Sequence, residues 1–262
     1  MNGIVELNLW QVMLSYAFVL IVLAIIQKRG IHRRKEILIS SVRMTIQLIL
    51  AGYVLGLVFA KPNPMITVAI IASMEFFAVF TIYKKFQGKL SRKLKKAIAL
   101  SMTTGTLSCL LFFLFVVVRI DPWYDPQYFI PIAGMLVGNS MTGISLGVKS
   151  LVESMTIQKN LVEEALVLGA TPRTATKSII DNTFDAAIMP TINSMIGMGI
   201  VFLPGMMTGQ ILSGTMPTTA VAYQISIMFG ILGAVSLSVI LMLRLGYRSF
   251  FNEEEQLCSS DA

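Results

Sequence analysis

Glu75 and Arg43 are the two charged side chains that fall inside long apolar runs of this sequence. A carboxylate at mid-membrane depth costs several kcal/mol unless it is paired or neutral. Such residues are therefore the first candidates for a transport pathway or a proton carrier. Gln47 follows Arg43 by one helical turn, and Arg43 lies near the start of its run, where a long cation reaches the interface. A structural role competes in both places: an anchor for Arg43, a packed neutral carboxyl for Glu75. Met206 and Met207 follow Pro204-Gly205, a pair that breaks helices. Broken helices free backbone carbonyls and recur at transport sites. Thioether sulfur suits soft cations such as Cu(I), whereas Fe(II) prefers harder ligands. The 17 methionines therefore do not point to iron, and most of them read as packing. Asn139 and Ser140, Asn193 and Ser194, and Gln224 either face a pathway or hydrogen-bond between helices. No metal-ligand set is readable from these spacings.

Catalytic chemistry finds little support. The single His32 sits in the basic loop "KRGIHRRK", so neither a histidine metal site nor a Ser–His hydrolase can be built in the membrane. The aspartates lie in loops and the tail, which argues against an intramembrane aspartyl protease. Cys109 and Cys258 have neither metal-ligand spacing nor an evident disulfide partner. A phosphate-binding loop needs Gly-x4-Gly-Lys-Ser/Thr. "GNSMTGIS" at 138–145 has the glycines, but Ile144 stands where the lysine must be. The chain is read as not an enzyme, with no cofactor of its own.

The elements that carry these residues follow from composition. Of 262 residues, 55% are hydrophobic and 13% charged, about half the charge of a soluble domain at roughly 25%. The net charge of +7 collects in short loops beside apolar runs, which needs no nucleic-acid partner. A spanning helix takes about 20 apolar residues. The sequence predicts an all-α polytopic membrane protein with about seven spans, near 7–26, 37–59, 65–83, 97–118, 128–148, 188–212 and 219–243. The loops 27–36 and 84–96 are strongly basic, while 60–64, 119–127 and 213–218 are not. That alternation places the N-terminus outside, the C-terminus inside, and the 149–187 segment in the cytoplasm. Charge follows the first apolar run instead of preceding it, so the run reads as a retained span, not a signal peptide. One permease domain covers 1–250, and 251–262 reads as a short solvated tail.

The longest polar stretch holds "EEALVLGATP", residues 163–172. Leu161, Val162, Ala165, Leu166 and Leu168 recur at helical spacing, giving an amphipathic helix. Gly169 suits a helix stop, Thr171 an N-cap and Pro172 the first position of a following helix. The stretch reads as helix, glycine turn, helix. An ordinary connector would look similar, but this spacing resembles the coupling motif of ABC transporter permeases. Glu163, Ala165 and Gly169 match that motif, and Ile179 falls ten residues after Gly169 as it asks. Glu164 replaces its middle alanine, and "IDN" stands where it has Leu-Pro. The resemblance implies that Glu163, Glu164, Ala165, Leu168, Gly169, Thr171 and Pro172 dock a separate cytoplasmic ATPase, which would hold ATP and Mg.

Four further stretches carry a narrower likeness: "RMTIQLILAGYVLGLVF" (43–59), "IPIAGMLVGNSM" (130–141), "ALVLGATPRTA" (165–175) and "FLPGMMTGQILSG" (202–214). Together they resemble the FetB-type permease family, from about residue 37 to 250. Those proteins are small bacterial ABC permeases of iron export and metal resistance, with plant relatives linked to aluminium tolerance. The likeness implies a permease in the bacterial inner membrane that exports iron or another metal. Small-xxx-small pairs at Gly52/Gly56, Gly134/Gly138, Gly143/Gly147 and Gly205/Gly209 permit close helix approach. Seven spans are few for a full transporter, so a homodimer in the bilayer with two ATPases is expected. The alternative is a stand-alone proton-coupled carrier that uses Glu75.

Overall fold

The computed structural model describes residues 8–86, 88 and 90–258. Residue 7 of the first expected span, Lys89 of the basic loop and residues 259–262 of the tail lie outside the described residues.

Helices α1 (Leu9–Lys28) and α2 (Arg34–Ala60) belong to a compact unit that ends at Lys61. α1 is apolar on all sides and buries none of its residues. That pattern suits lipid, where an outward Leu or Phe carries no hydration cost. Residues 29–33 reverse the chain, with Gly30 at φ +67°. A hydrogen bond between the Tyr16 and Thr45 hydroxyls ties the two helices.

The second unit starts at Pro62. Its first three helices begin on side-chain caps that occupy free N–H groups. Asn63 caps α3 (Pro64–Lys85), Ser91 caps α4 (Arg92–Phe112) and Asp125 caps α5 (Pro126–Ile157). α4 runs on as a π-helical turn, Phe113–Val118. Then come α6 (Lys159–Val167), α7 (Pro172–Ala175), α8 (Lys177–Gly197), α9 (Gly205–Leu212) and α10 (Pro217–Gly246), which ends in a 3-10 turn, Tyr247–Phe250. Among the described residues, six helices are long and apolar enough to cross a membrane: α1 to α5 and α10, the fourth counted through Val118 and the last through Phe250. The chain is an all-α, multi-pass membrane protein.

The expected span 188–212 is not one helix. α8 already starts at Lys177 and stops at Gly197. The chain then turns through residues 198–204, where Gly199 takes φ +84° and donates its N–H to the Phe202 carbonyl at 2.9 Å. α9 begins only after Pro204. The break expected at Pro204-Gly205 thus opens earlier and is wider, because Gly199 supplies a left-handed turn.

Within the expected segment 149–187, α5 continues to Ile157 and α8 resumes at Lys177, so residues 158–176 connect the two helices. A further expectation changes. The segment after 250 is not a loose solvated tail throughout. Phe251 is buried, Leu257 packs on the core and Cys258 donates its N–H to the Phe250 carbonyl at 2.8 Å. The Asn252 carboxamide oxygen accepts from Gln256 N–H at 2.8 Å and closes the turn.

The core lies where α4, α5 and α10 pack, with α3 and α8 against α5. Ile98, Met102, Leu136, Ile144, Val239 and Met242 are fully enclosed there. Of the small-residue pairs, Gly143/Gly147 sits in this core. A Cβ at Gly143 would stand 2.8 Å from Val235 Cγ1, and one at Gly147 2.8 Å from Met242 Cε.

Candidate functional site

Glu75 sits midway along α3, 94% buried against α4. The Thr106 hydroxyl on α4 bonds Glu75 Oε1, and it also lies 2.7 Å from the Met102 carbonyl. Glu75 Oε2 is buried without a partner. Beside it lies a cavity of about 610 Å³, lined by Val68, Ala72, Phe76, Leu107 and Trp123 among others. One carboxyl therefore stands at an apolar cavity with an oxygen free to accept. That arrangement can take a proton, a cation or a hydrogen-bond donor.

The remaining pathway candidates occupy separate elements. Arg43 and Gln47 lie one turn apart on α2, with Leu38, Ile39, Val42 and Ile46 beside a groove of about 510 Å³. Asn139 on α5 is exposed, and its Nδ2 donates to the Met135 carbonyl at 2.7 Å. Asn193 on α8 is exposed. Met206 on α9 packs partly against the core, and Met207 beside it is half-buried. Gln224 on α10 is buried, and its Oε1 has no partner. Gln210 Oε1, Ser140 Oγ and Ser238 Oγ share that condition. Unpartnered buried polar atoms are uncommon in folded proteins, and each calls for a physical explanation. No group of three or more His, Cys, Asp or Glu suited to a metal occurs among the described residues.

The connector has a definite shape. α6 ends at Gly169 with φ +90°. Gly169 N–H reaches the Leu166 carbonyl at 2.9 Å and Ala170 N–H the Ala165 carbonyl at 3.0 Å. This pair of bonds is a Schellman stop, which a Cβ at Gly169 would strain. Thr171 then caps α7, its hydroxyl accepting from Thr174 N–H at 3.4 Å, with Pro172 first in the helix. Helix, glycine turn and helix stand as the spacing predicts.

The apolar face of α6 divides instead of burying as one stripe. Val162 is enclosed and Leu166 and Ala165 are half-buried. Leu161, Val167 and Leu168 point away from the chain, the last two 87% exposed. Glu163 pairs with Lys159 at 3.6 Å, and Glu164 is exposed. Gly169 and Thr171 are exposed and Pro172 is half-buried. The turn is thus a tip whose apolar Val167 and Leu168 side chains are left uncovered by the described residues.

Sequence reasoning missed Thr106 and Gln210. Thr106 was legible only as one hydroxyl among several in an apolar run. Its neighbouring, antiparallel span carries the acid at similar depth, and that pairing is the signal. Sequence reasoning also missed the contact of Gly105 with Ser238, which sets the α4–α10 distance. A Cβ at Gly105 would lie 2.8 Å from Ser238 Cα.

Comparison with known proteins yields one family and several relatives. Residues 9–251 match the family model UPF0014, described as an uncharacterised protein family. The chain is 36% identical over 235 residues to the UPF0014 membrane protein slr1647 of Synechocystis, covering 90% of each chain. It is 34% identical over 252 residues to the "Probable iron export permease protein FetB" of Escherichia coli, covering 95% of each. It is 35% identical over 246 residues to "Protein ALUMINUM SENSITIVE 3" of Arabidopsis thaliana, covering 92% of this chain and 87% of that one. No solved structure matches.

Proposed function

The chain belongs to the UPF0014 family, and from that premise we propose that it is the membrane-spanning permease subunit of an ABC transporter. The observation that carries this reading is the uncovered tip at 167–171, with Val167 and Leu168 exposed beside a left-handed Gly169. Glycine lets the turn approach a partner's backbone closely, and two outward apolar side chains supply contact area. A separate ATPase, holding ATP and Mg, docks there. Because α6 and α7 join α5 to α8 through short turns, a push on the tip moves both helices. The alternation of basic and non-basic loops supports a tip and C-terminus in the cytoplasm and an N-terminus outside. Two copies assemble in the inner membrane with two ATPases, since one chain supplies few spans for a pathway.

The cargo reading is a metal ion, exported. It rests on likeness to a relative named as an iron export permease and on Glu75, whose oxygen atoms are hard ligands suited to iron. Co-purification tests the assembly. The tagged chain is expressed with the ATPase encoded beside it and solubilised in mild detergent. The ATPase elutes with wild type and is lost with Gly169→Trp. A folded wild type that retains no ATPase would sink the reading.

A second reading is a proton-coupled carrier, favoured by the unpartnered Oε2 of Glu75. Proteoliposomes that hold the chain alone separate the two. Uptake driven by a pH gradient without ATPase or ATP supports the carrier.

A further inference from the structure

A second cavity, of about 820 Å³, opens where α7, α8 and the end of α10 meet. Arg173, Lys177, Arg244 and Arg248 line it, together with Thr174, Ile180, Tyr247 and a single carboxylate, Asp181. Four cations face one acid. The ion pairs among the described residues lie elsewhere, at Arg33–Glu36, Lys149–Glu153 and Lys159–Glu163. Glu253 and Glu255 share an adjoining cleft with Arg173 and Arg248 but form no ion pair with either. Arg248 Nε donates to the neighbouring Tyr247 hydroxyl at 3.3 Å, and Glu255 attracts the same guanidinium from the adjoining cleft. Four cations with a single carboxylate among them leave the cleft net positive, and an anion of suitable shape would balance that charge.

The place of the cleft narrows the anion. Arg244 stands in the last turn of a thirty-residue apolar helix, which is where the hydrocarbon gives way to headgroups whichever side faces the cytoplasm. Ile240 lies one turn deeper on the same stripe of α10 and is exposed, as is Leu245. Apolar surface for acyl chains thus continues from the charged cleft. Tyr247 sits at its rim, a side chain common at headgroup depth. We propose that this cleft binds the phosphate of an anionic glycerophospholipid, with Arg244 and Arg248 as its main contacts and Arg173 and Lys177 closing the other side. Basic pockets between spans hold lipid phosphates by this chemistry. A bound lipid would cross-link α7, α8 and α10 at the base of the connector. The inference is independent of whether an ATPase docks on the tip.

The test uses the delipidated full chain in detergent, without ATPase, and native mass spectrometry. Phosphatidylglycerol, phosphatidylcholine and inorganic phosphate are titrated separately. Variants are Arg244→Gln/Arg248→Gln in the cleft and Arg33→Gln/Arg34→Gln in the first basic loop, both checked for wild-type elution and thermal unfolding. Phosphatidylglycerol should bind wild type and the loop variant alike, weaken with salt, and lose roughly thirtyfold in affinity in the cleft variant. An equal loss in the loop variant would mean diffuse charge, and would overturn the site. Binding of inorganic phosphate as strong as the lipid's would mean a soluble phosphate ligand, and would overturn the lipid. Unchanged lipid affinity in the cleft variant would overturn the site. Should the cleft variant fold poorly, Lys177→Gln gives the same comparison with one charge removed.

Discussion

The Thr106 hydroxyl of α4 bonds one carboxyl oxygen of Glu75 on α3, while the other oxygen is buried at an apolar cavity with no partner. One acid is thus held by half and left available by half. A purely structural carboxyl would be expected to have both oxygens occupied.

Glu75→Gln keeps the size of the side chain and an acceptor for Thr106. It should leave elution and thermal unfolding near wild type and abolish metal resistance in cells. Wild-type resistance at equal expression would return Glu75 to a packing role. Thr106→Val leaves an orphaned oxygen at Glu75 and should cost about 1–3 kcal/mol, read as a lower unfolding temperature in detergent.

The tip separates binding from stability. Leu168 is 87% exposed, so Leu168→Asp should change stability by no more than about 0.5 kcal/mol and yet release the ATPase in co-purification. Gly169→Trp should release it too, with a strain cost of roughly 1–2 kcal/mol for a side chain in the left-handed region. Full ATPase retention in both variants would mean the partner docks elsewhere.

Gly105 has no room for a methyl, because Ser238 backbone stands 2.8 Å from its Cβ position. Gly105→Ala should push α4 from α10 at a cost of about 1–3 kcal/mol or more. Gly52→Ala is the matched control, since nothing lies within 4 Å of that position. Its unfolding temperature should stay at or slightly above wild type. Equal unfolding temperatures for the two variants would refute the close contact.

Phe251 anchors the segment after α10. Phe251→Ala should lower stability by about 3 kcal/mol, and protease should then cut the chain after residue 250. Glu254→Gln, at an exposed position of the same turn, should do neither. A tail cleaved equally in wild type would show that the anchor does not hold.

Sequence alone was enough for the class and for the local shapes. Long apolar runs fix membrane helices because a backbone in lipid must satisfy its own hydrogen bonds. Capping and glycine chemistry are likewise local, so Thr171, Pro172 and Gly169 placed the connector's turn correctly. Glu75 stood out because charge is scarce in an apolar run. What sequence could not fix is which side chains meet. The split of 188–212 depends on Gly199, whose φ no periodicity reports. The division of the α6 face into buried Val162 and exposed Leu168 depends on what packs beneath it. Thr106 as the partner of Glu75, Ser238 against Gly105, and the four cations gathered at the end of α10 all join residues distant in the chain. In a membrane protein the hydrophobic pattern marks lipid and core alike, so only tertiary packing decides which faces touch.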